Sequence, residues 1–316
     1  MKQLFRTRRP WLEATGWVLA VIGVASFAGF VWQAIQRDGG AAYDLHSYVV
    51  AGRNLLAGLP LYGPMEINDP GAFRYAPTFA VLAVPLALPP EELVTWLYRA
   101  ACLGCVRFLV GSWRAVGWAL LFVPLQVELI ALNVTLPIAV VAMAALRGPR
   151  DGLAAALVPV TAAAKFGPAL LVPYLWVTRP RLRRPMLIGV AVLALAVGLH
   201  VALDPRAWSE YLGSLRQQAA AANDAAWVGD QLLFLVPSTL GDFLLRLGIG
   251  TLLVLLAMRR RLDWLAYVAA ALAVPTLWVA RLSALVGGPR LWLVDPTVTP
   301  VSNDPEAGDA VGHDAR

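Results

Sequence analysis

The stretch Trp17-Val-Leu-Ala-Val-Ile-Gly-Val-Ala-Ser-Phe-Ala-Gly-Phe-Val-Trp-Gln-Ala-Ile-Gln36 decides the fold. It runs 20 residues without a charge. As a helix rising about 1.5 Å per residue it spans ~30 Å, the hydrocarbon thickness of a bilayer. A basic segment with Lys2, Arg6, Arg8 and Arg9 precedes it. A cleaved leader carries a shorter apolar region, roughly 7–15 residues. The stretch therefore reads as a retained first transmembrane helix with a cytoplasmic N-terminus.

Working outward, apolar runs recur at 78–90, 92–110, 115–146, 152–178, 186–203, 230–257 and 264–285. Of the 316 residues 59% are hydrophobic and 15% charged, with mean hydropathy +0.64. A soluble domain carries about 25% charged residues, so lipid is the main solvent here. The net charge of +6 does not point to nucleic acid. Its Lys and Arg sit in clusters between apolar runs, at 2–9, 147–150, 179–184 and 259–261, which is the pattern of cytoplasmic loops. Placing all four inside gives about nine crossings, outside loops at 37–77 and 204–229, and an outside C-terminus. The expected architecture is an all-α polytopic membrane protein with a single membrane domain over 1–290. A polar tail, 291–316, lacks core-forming residues and reads as disordered. Pro124, Asn133 and Pro137 interrupt 115–146, and Lys165, Gly167 and Pro168 interrupt 152–178. Both regions read as broken or re-entrant helix.

Chemistry facing water has few places to sit. In the first outside loop, Leu45, Val49, Gly52, Leu55 and Leu56 follow helical spacing. The spacing predicts a short amphipathic helix from Asp44 at the N-cap to Gly58 at the C-terminal stop, lying in the membrane interface. Asp44 has two readings, a helix cap or a carboxylate at the mouth of a membrane cavity that takes a proton from a hydroxyl. Arg74 is a snorkelling residue or an anion clamp. Lys165, inside an apolar segment, is a snorkelling residue or a functional cation. Trp208, Glu210, Tyr211, Asn223, Asp224, Trp227 and Asp230 in the second loop form a sugar-contacting surface or an interfacial belt. Cys102 and Cys105 lie within an apolar run without ligating partners and read as lipid-facing or packed residues. No Asp-x-Asp, no Gly-rich phosphate loop and no His-Glu-x-x-His occurs, and no cofactor or metal is expected.

The pattern Asp44-x3-Tyr48-x2-Ala51-x6-Gly58-Leu59-Pro60-Leu61-Tyr62, then Phe73-Arg74-Tyr75-x-Pro77-x7-Pro85-Leu86, resembles glycosyltransferase family 87. The likeness continues at Ala162-Ala163-Ala164-Lys165-Phe166-Gly167-Pro168 and, more weakly, at Trp208–Leu215 and Pro275–Trp278. The resemblance implies a GT-C-like bundle in a bacterial plasma membrane. It implies an enzyme that moves a hexose, mannose first among candidates, from a polyprenyl-phosphate donor to a lipid or glycan hydroxyl on the outer face. The acidic residue opening the motif, Asp44, would be the base. A departing lipid phosphate needs one or two cations, for which Lys165, Arg74 and Arg281 are the candidates. Tyr48, Tyr62, Tyr75, Asn133 and Trp278 are candidate substrate-binding residues. The alternatives are a lipid or solute transporter, which broken helices also suit, and a non-catalytic relative.

Overall fold

The structure, a computed structural model, describes residues 10–38, 42–62, 72–148, 151–222, 240–273 and 279–294. Helix accounts for 87% of the described residues and no strand occurs among them, so the all-α expectation holds. Helices α1 (Pro10–Asp38), α4 (Glu91–Val110) and α10 (Arg183–Leu203) form the long frame. Within or around them Glu13–Arg37, Glu91–Val110 and Pro180–Leu203 are long and apolar enough to cross a membrane. Helices α5 (Trp113–Ala119) and α6 (Val123–Ala131), bent by 97° from each other, make a fourth span if counted as one.

Helix α1 exposes Trp17, Val18, Val21, Val24 and Trp32, apolar side chains suited to lipid. Its other side is a row of small residues, Gly16, Ala20 and Gly23. Gly23 lies so close to the Gly117 carbonyl of α5 that a Cβ would not fit. Close backbone approach through small residues is how membrane helices associate without a water-driven force. Trp118 of α5 adds an indole N–H bond to the Gly16 carbonyl.

Helix α2 (Tyr43–Ala57) lies along α3 (Pro77–Ala87), with Gly52 against the Ala83 carbonyl. As predicted, α2 stops at Gly58, whose φ of 66° lets its N–H reach the Asn54 and Leu55 carbonyls. Its start differs from expectation. The helix begins at Tyr43 with Ala42 at the N-cap, and the His46 N–H bonds the Ala42 carbonyl. Asp44 is thus inside the first turn and caps nothing. At 11 residues, α3 is about 16 Å long and too short to span. It brings the chain back to α2, where Glu91 at the start of α4 meets His46 (2.6 Å) and Arg53 (3.3 Å).

The middle of the chain breaks where predicted. Between α6 and α7 (Thr135–Arg147) Leu132 adopts φ 57°, followed by Asn133. Helix α8 (Gly152–Ala164) ends at Lys165, which is extended. A 3-10 turn, Gly167–Leu170, then leads to α9 (Leu171–Thr178). The ends of these half-helices away from the breaks meet at the basic end of the bundle. Arg179, just after α9, donates to the Leu146 carbonyl of α7 (2.7 Å) and pairs with Asp263 (2.7 Å) at the start of α13 (Asp263–Leu272). Tyr174 of α9 donates to the same carboxylate at 2.7 Å. Residues 113–147 and 152–178 are therefore two hairpins that start and finish at one end and break near their tips.

The same end receives the last part of the chain. Beyond α13, a 3-10 stretch (Val279–Gly287) leads into α14 (Gly288–Val294), and Arg290 of α14 bonds the Phe108 carbonyl of α4. Residues 264–285 are expected to cross once more, but α13 is only 10 residues long and Ala284 lies back beside Tyr267, one turn from where α13 starts. The nine crossings are accordingly not found among the described residues. Each short apolar run was counted as a span, whereas several are half-length helices. Within 204–229, residues Pro205–Ala222 form α11, and Leu240–Arg260 form α12.

Candidate active site

Two polar clusters sit above the hairpin tips. The inner one is made by the two helix breaks facing each other. The Lys165 ammonium donates to the Asn133 side-chain carbonyl and to the Thr135 hydroxyl (2.8 Å). Lys165 is 7% exposed, so its charge has left water and is held by these oxygens. Glu128 of α6, 1% exposed, accepts the Thr135 backbone N–H at 3.2 Å. It thereby satisfies one of the orphan donors at the start of α7 and fixes where Thr135 points. A small cleft of about 50 Å³ opens from Lys165 and Thr135 along α7. Its wall is apolar and small, with Ala139, Ala142, Pro168, Ala270 and Ala271. Tyr267 also lines it, with its hydroxyl committed to the Ala284 carbonyl (2.6 Å).

The outer cluster is built on α2 and the link 72–76. The hydroxyls of Tyr48 and Tyr75 lie 3.0 Å apart, and Tyr62 donates to the Tyr75 carbonyl at 2.6 Å. Phe73 packs on Tyr75 and Tyr62, and Tyr211 of α11 lies against Tyr62 with ring centroids 5.6 Å apart. Burial, then Tyr75 and Asp44, raise the Tyr48 pKa; burial, then Tyr211 and Glu210, raise that of Tyr62. Both phenols are neutral donors and poor bases. Asp44, one helical turn before Tyr48 and partly buried, keeps its carboxylate out of any hydrogen bond or ion pair among the described residues. Nothing there competes for a proton it would accept.

Tyr98 of α4 lies between the clusters. Its hydroxyl is directed at the Asn133 backbone carbonyl (3.5 Å), and it is within electrostatic reach of Tyr75 and Glu128. Seven residues past Glu91, it stands ~10 Å below the outer end of α4, so the Lys165 centre is about a third of the way down that helix.

Of the residues picked from sequence, Tyr48, Tyr62 and Tyr75 come together, and so do Asn133 and Lys165. Asp44 belongs to the first group and makes no ion pair with Lys165. Arg74 is partly buried in the link beside Tyr75. Arg281 falls in the 3-10 stretch, its side chain outside the described residues, as is Trp278 altogether. Tyr98, Glu128 and Thr135 were missed. Glu128 had a signal, a carboxylate inside an apolar run, the same argument that singled out Lys165.

These features define a helical membrane protein with a buried cationic centre at the head of a small apolar cleft. The glycosyltransferase family 87 model matches residues 73–294, and the chain belongs to that family. It is a membrane glycosyltransferase. The matched stretch holds Arg74, Tyr75, Asn133, Lys165, Trp278 and Arg281, while Asp44, Tyr48 and Tyr62 precede it. No curated protein and no solved structure matches the chain.

Proposed function

We propose that the protein transfers a hexose, mannose first among candidates, from a polyprenyl-phosphate donor to a lipid or glycan hydroxyl at the outer face of a bacterial plasma membrane. The observation that carries this reading is the Lys165 ammonium, held by Asn133 and Thr135 at the head of an otherwise apolar cleft. One buried cation above an apolar wall suits an amphiphile with an anionic head. The donor phosphate sits at Lys165, with Arg74 and Arg281 as further cations. The acceptor oxygen attacks the anomeric carbon, the carbon–oxygen bond to phosphate breaks, and its electron pair leaves on the phosphate. The acceptor proton passes to the Asp44 carboxylate. A phosphate leaving group needs no proton, so one base and a fixed positive charge meet the need. Tyr48, Tyr62 and Tyr75 offer neutral donors and ring faces to the substrates, with Trp278 as a further contact.

The basic end carrying Arg107, Arg147, Arg179 and Arg259–Arg260 is cytoplasmic on the positive-inside rule, which puts α2 and α11 outside. Helix α14 lies at that end, and the tail 295–316 is outside the described residues.

The test is to incubate the purified protein in lipid vesicles with labelled polyprenyl-phosphate-mannose and an envelope lipid extract. Label should move to an acceptor with the wild-type chain and not with Asp44→Asn. Transfer at the wild-type rate by Asp44→Asn removes Asp44 as base. Transfer from a nucleotide sugar but not from the lipid donor removes the donor assignment.

A further inference from the structure

The basic end of the bundle holds an arrangement that sugar transfer does not use. Arg290 reaches across from α14 to the Phe108 carbonyl near the end of α4, and its guanidinium rests against Gly111. Arg107 lies in the same last turn, with the Gly111 N–H bonded to its carbonyl at 2.9 Å. Helix α7 comes alongside through Met143, which touches Gly287. One turn beyond Met143 is Arg147, and three residues beyond Gly287 is Arg290. Three guanidiniums from α4, α7 and α14 thus converge, all half-buried. None has a carboxylate partner among the described residues. Burial first, then the fields of Arg147 and Arg107, lower the Arg290 pKa. Like charges gathered without a counter-charge are unfavourable unless an anion joins them.

The surroundings say which anion. Arg107 lies over the Trp113 ring, 5.9 Å from its centroid. Trp113 is 65% exposed and Trp292, two residues past Arg290, is 45% exposed. Exposed tryptophans beside arginines at helix ends mark the headgroup level of a bilayer. Basic pockets between membrane helices at that level bind lipid headgroups, and guanidinium matches phosphate in a bidentate manner. The site is separate from the Lys165 centre, since the 12 residues from Thr135 to Arg147 put ~18 Å between them.

We propose that Arg107, Arg147 and Arg290 form a binding site for the phosphate headgroup of an anionic membrane lipid that ties α4, α7 and α14 together at the basic end. The experiment uses the full chain in detergent micelles supplied with phosphatidylglycerol or phosphatidylcholine. Retained lipid is read by native mass spectrometry and stability by the thermal midpoint. Wild type should retain phosphatidylglycerol in preference and melt higher with it. Arg147→Gln is the cleanest variant, because Arg147 makes no hydrogen bond or ion pair among the described residues. It should bind the lipid roughly fivefold more weakly, and the Arg107→Gln/Arg147→Gln double variant more weakly again. Both should melt no lower than wild type in phosphatidylcholine alone, since each loses a repelling charge. Wild-type retention and stabilisation in the double variant overturn the proposal. Equal stabilisation by inorganic pyrophosphate in phosphatidylcholine micelles overturns the lipid assignment, because a soluble anion would then be enough.

Discussion

The cluster around Tyr75 and the centre around Lys165 both set polar groups among apolar helices, but by different means. The outer cluster hangs on α2 and an irregular link, and its rings and hydroxyls hold one another. Asp44 stands at its edge with a carboxylate that bonds nothing among the described residues. The inner centre is made by interrupting two helices, so that Asn133 and Thr135 at one break face Lys165 at the other. There the charged group is committed to fixed partners, and one of those, Thr135, is itself held by Glu128. A base has to be open to a proton, whereas a cation that meets a developing phosphate charge works best when nothing reorganises around it. The contrast implies that activity and stability separate at the outer cluster and are tied together at the inner one.

Asp44→Asn is the sharpest way to break that contrast. Loss of a general base lowers turnover by about 10²–10⁴-fold. Because the carboxylate bonds nothing among the described residues, the thermal midpoint should stay where it is. A large fall in stability would put Asp44 among the structural groups. Lys165→Met should follow at about 10²–10³-fold in labelled-sugar transfer, with a change in stability as well, since Asn133 and Thr135 lose their shared donor. If Lys165→Met transfers sugar as wild type does, the cationic centre is not the donor site.

Glu128→Leu tests whether the inner centre depends on its support. It leaves the Thr135 N–H buried without its acceptor, a cost of about 1–3 kcal/mol, and frees the Thr135 hydroxyl to turn from Lys165. Denaturation should come earlier and transfer should fall, while Glu128→Gln, which keeps an acceptor oxygen, should recover most of both. If Gln and Leu behave alike, the carboxylate charge and not the hydrogen bond is what matters.

How legible this was depended on how local each signal is. The first helix, the stop at Gly58 and the breaks at Asn133 and Lys165 follow from punctuation by Gly, Pro and Asn within a few residues. The nine crossings are not found among the described residues, because such a count gives a full span to every apolar run between basic clusters. Helices α3 and α13 are too short for that, and α7 and α8–α9 meet at their breaks and then return. The pairing of Asn133 with Lys165 joins positions 32 residues apart. Neither periodicity nor capping residues carry information about such a contact. Asp44 reads as a cap because acidic residues favour that position; the helix starts at Tyr43, which puts Asp44 inside the first turn.

Tyr48→Phe gives the smallest effect and the finest distinction. The substitution removes one hydroxyl, whose partner is the Tyr75 hydroxyl at 3.0 Å. The ring and its edge contact with Tyr75 stay in place. The net loss should be about 0.5–1.5 kcal/mol of stability, because Tyr75 keeps other partners. Burial raises the Tyr48 pKa, so the phenol takes no part as a base and the pH profile of transfer should be unchanged in shape. The Michaelis constant for acceptor should rise if the hydroxyl pair orients the acceptor, with turnover nearly constant. If turnover falls as far as in Asp44→Asn, the two residues act as one unit across the turn of α2. The proton would then leave through the Tyr48 hydroxyl, and the outer cluster would be as fixed in its partners as the inner one.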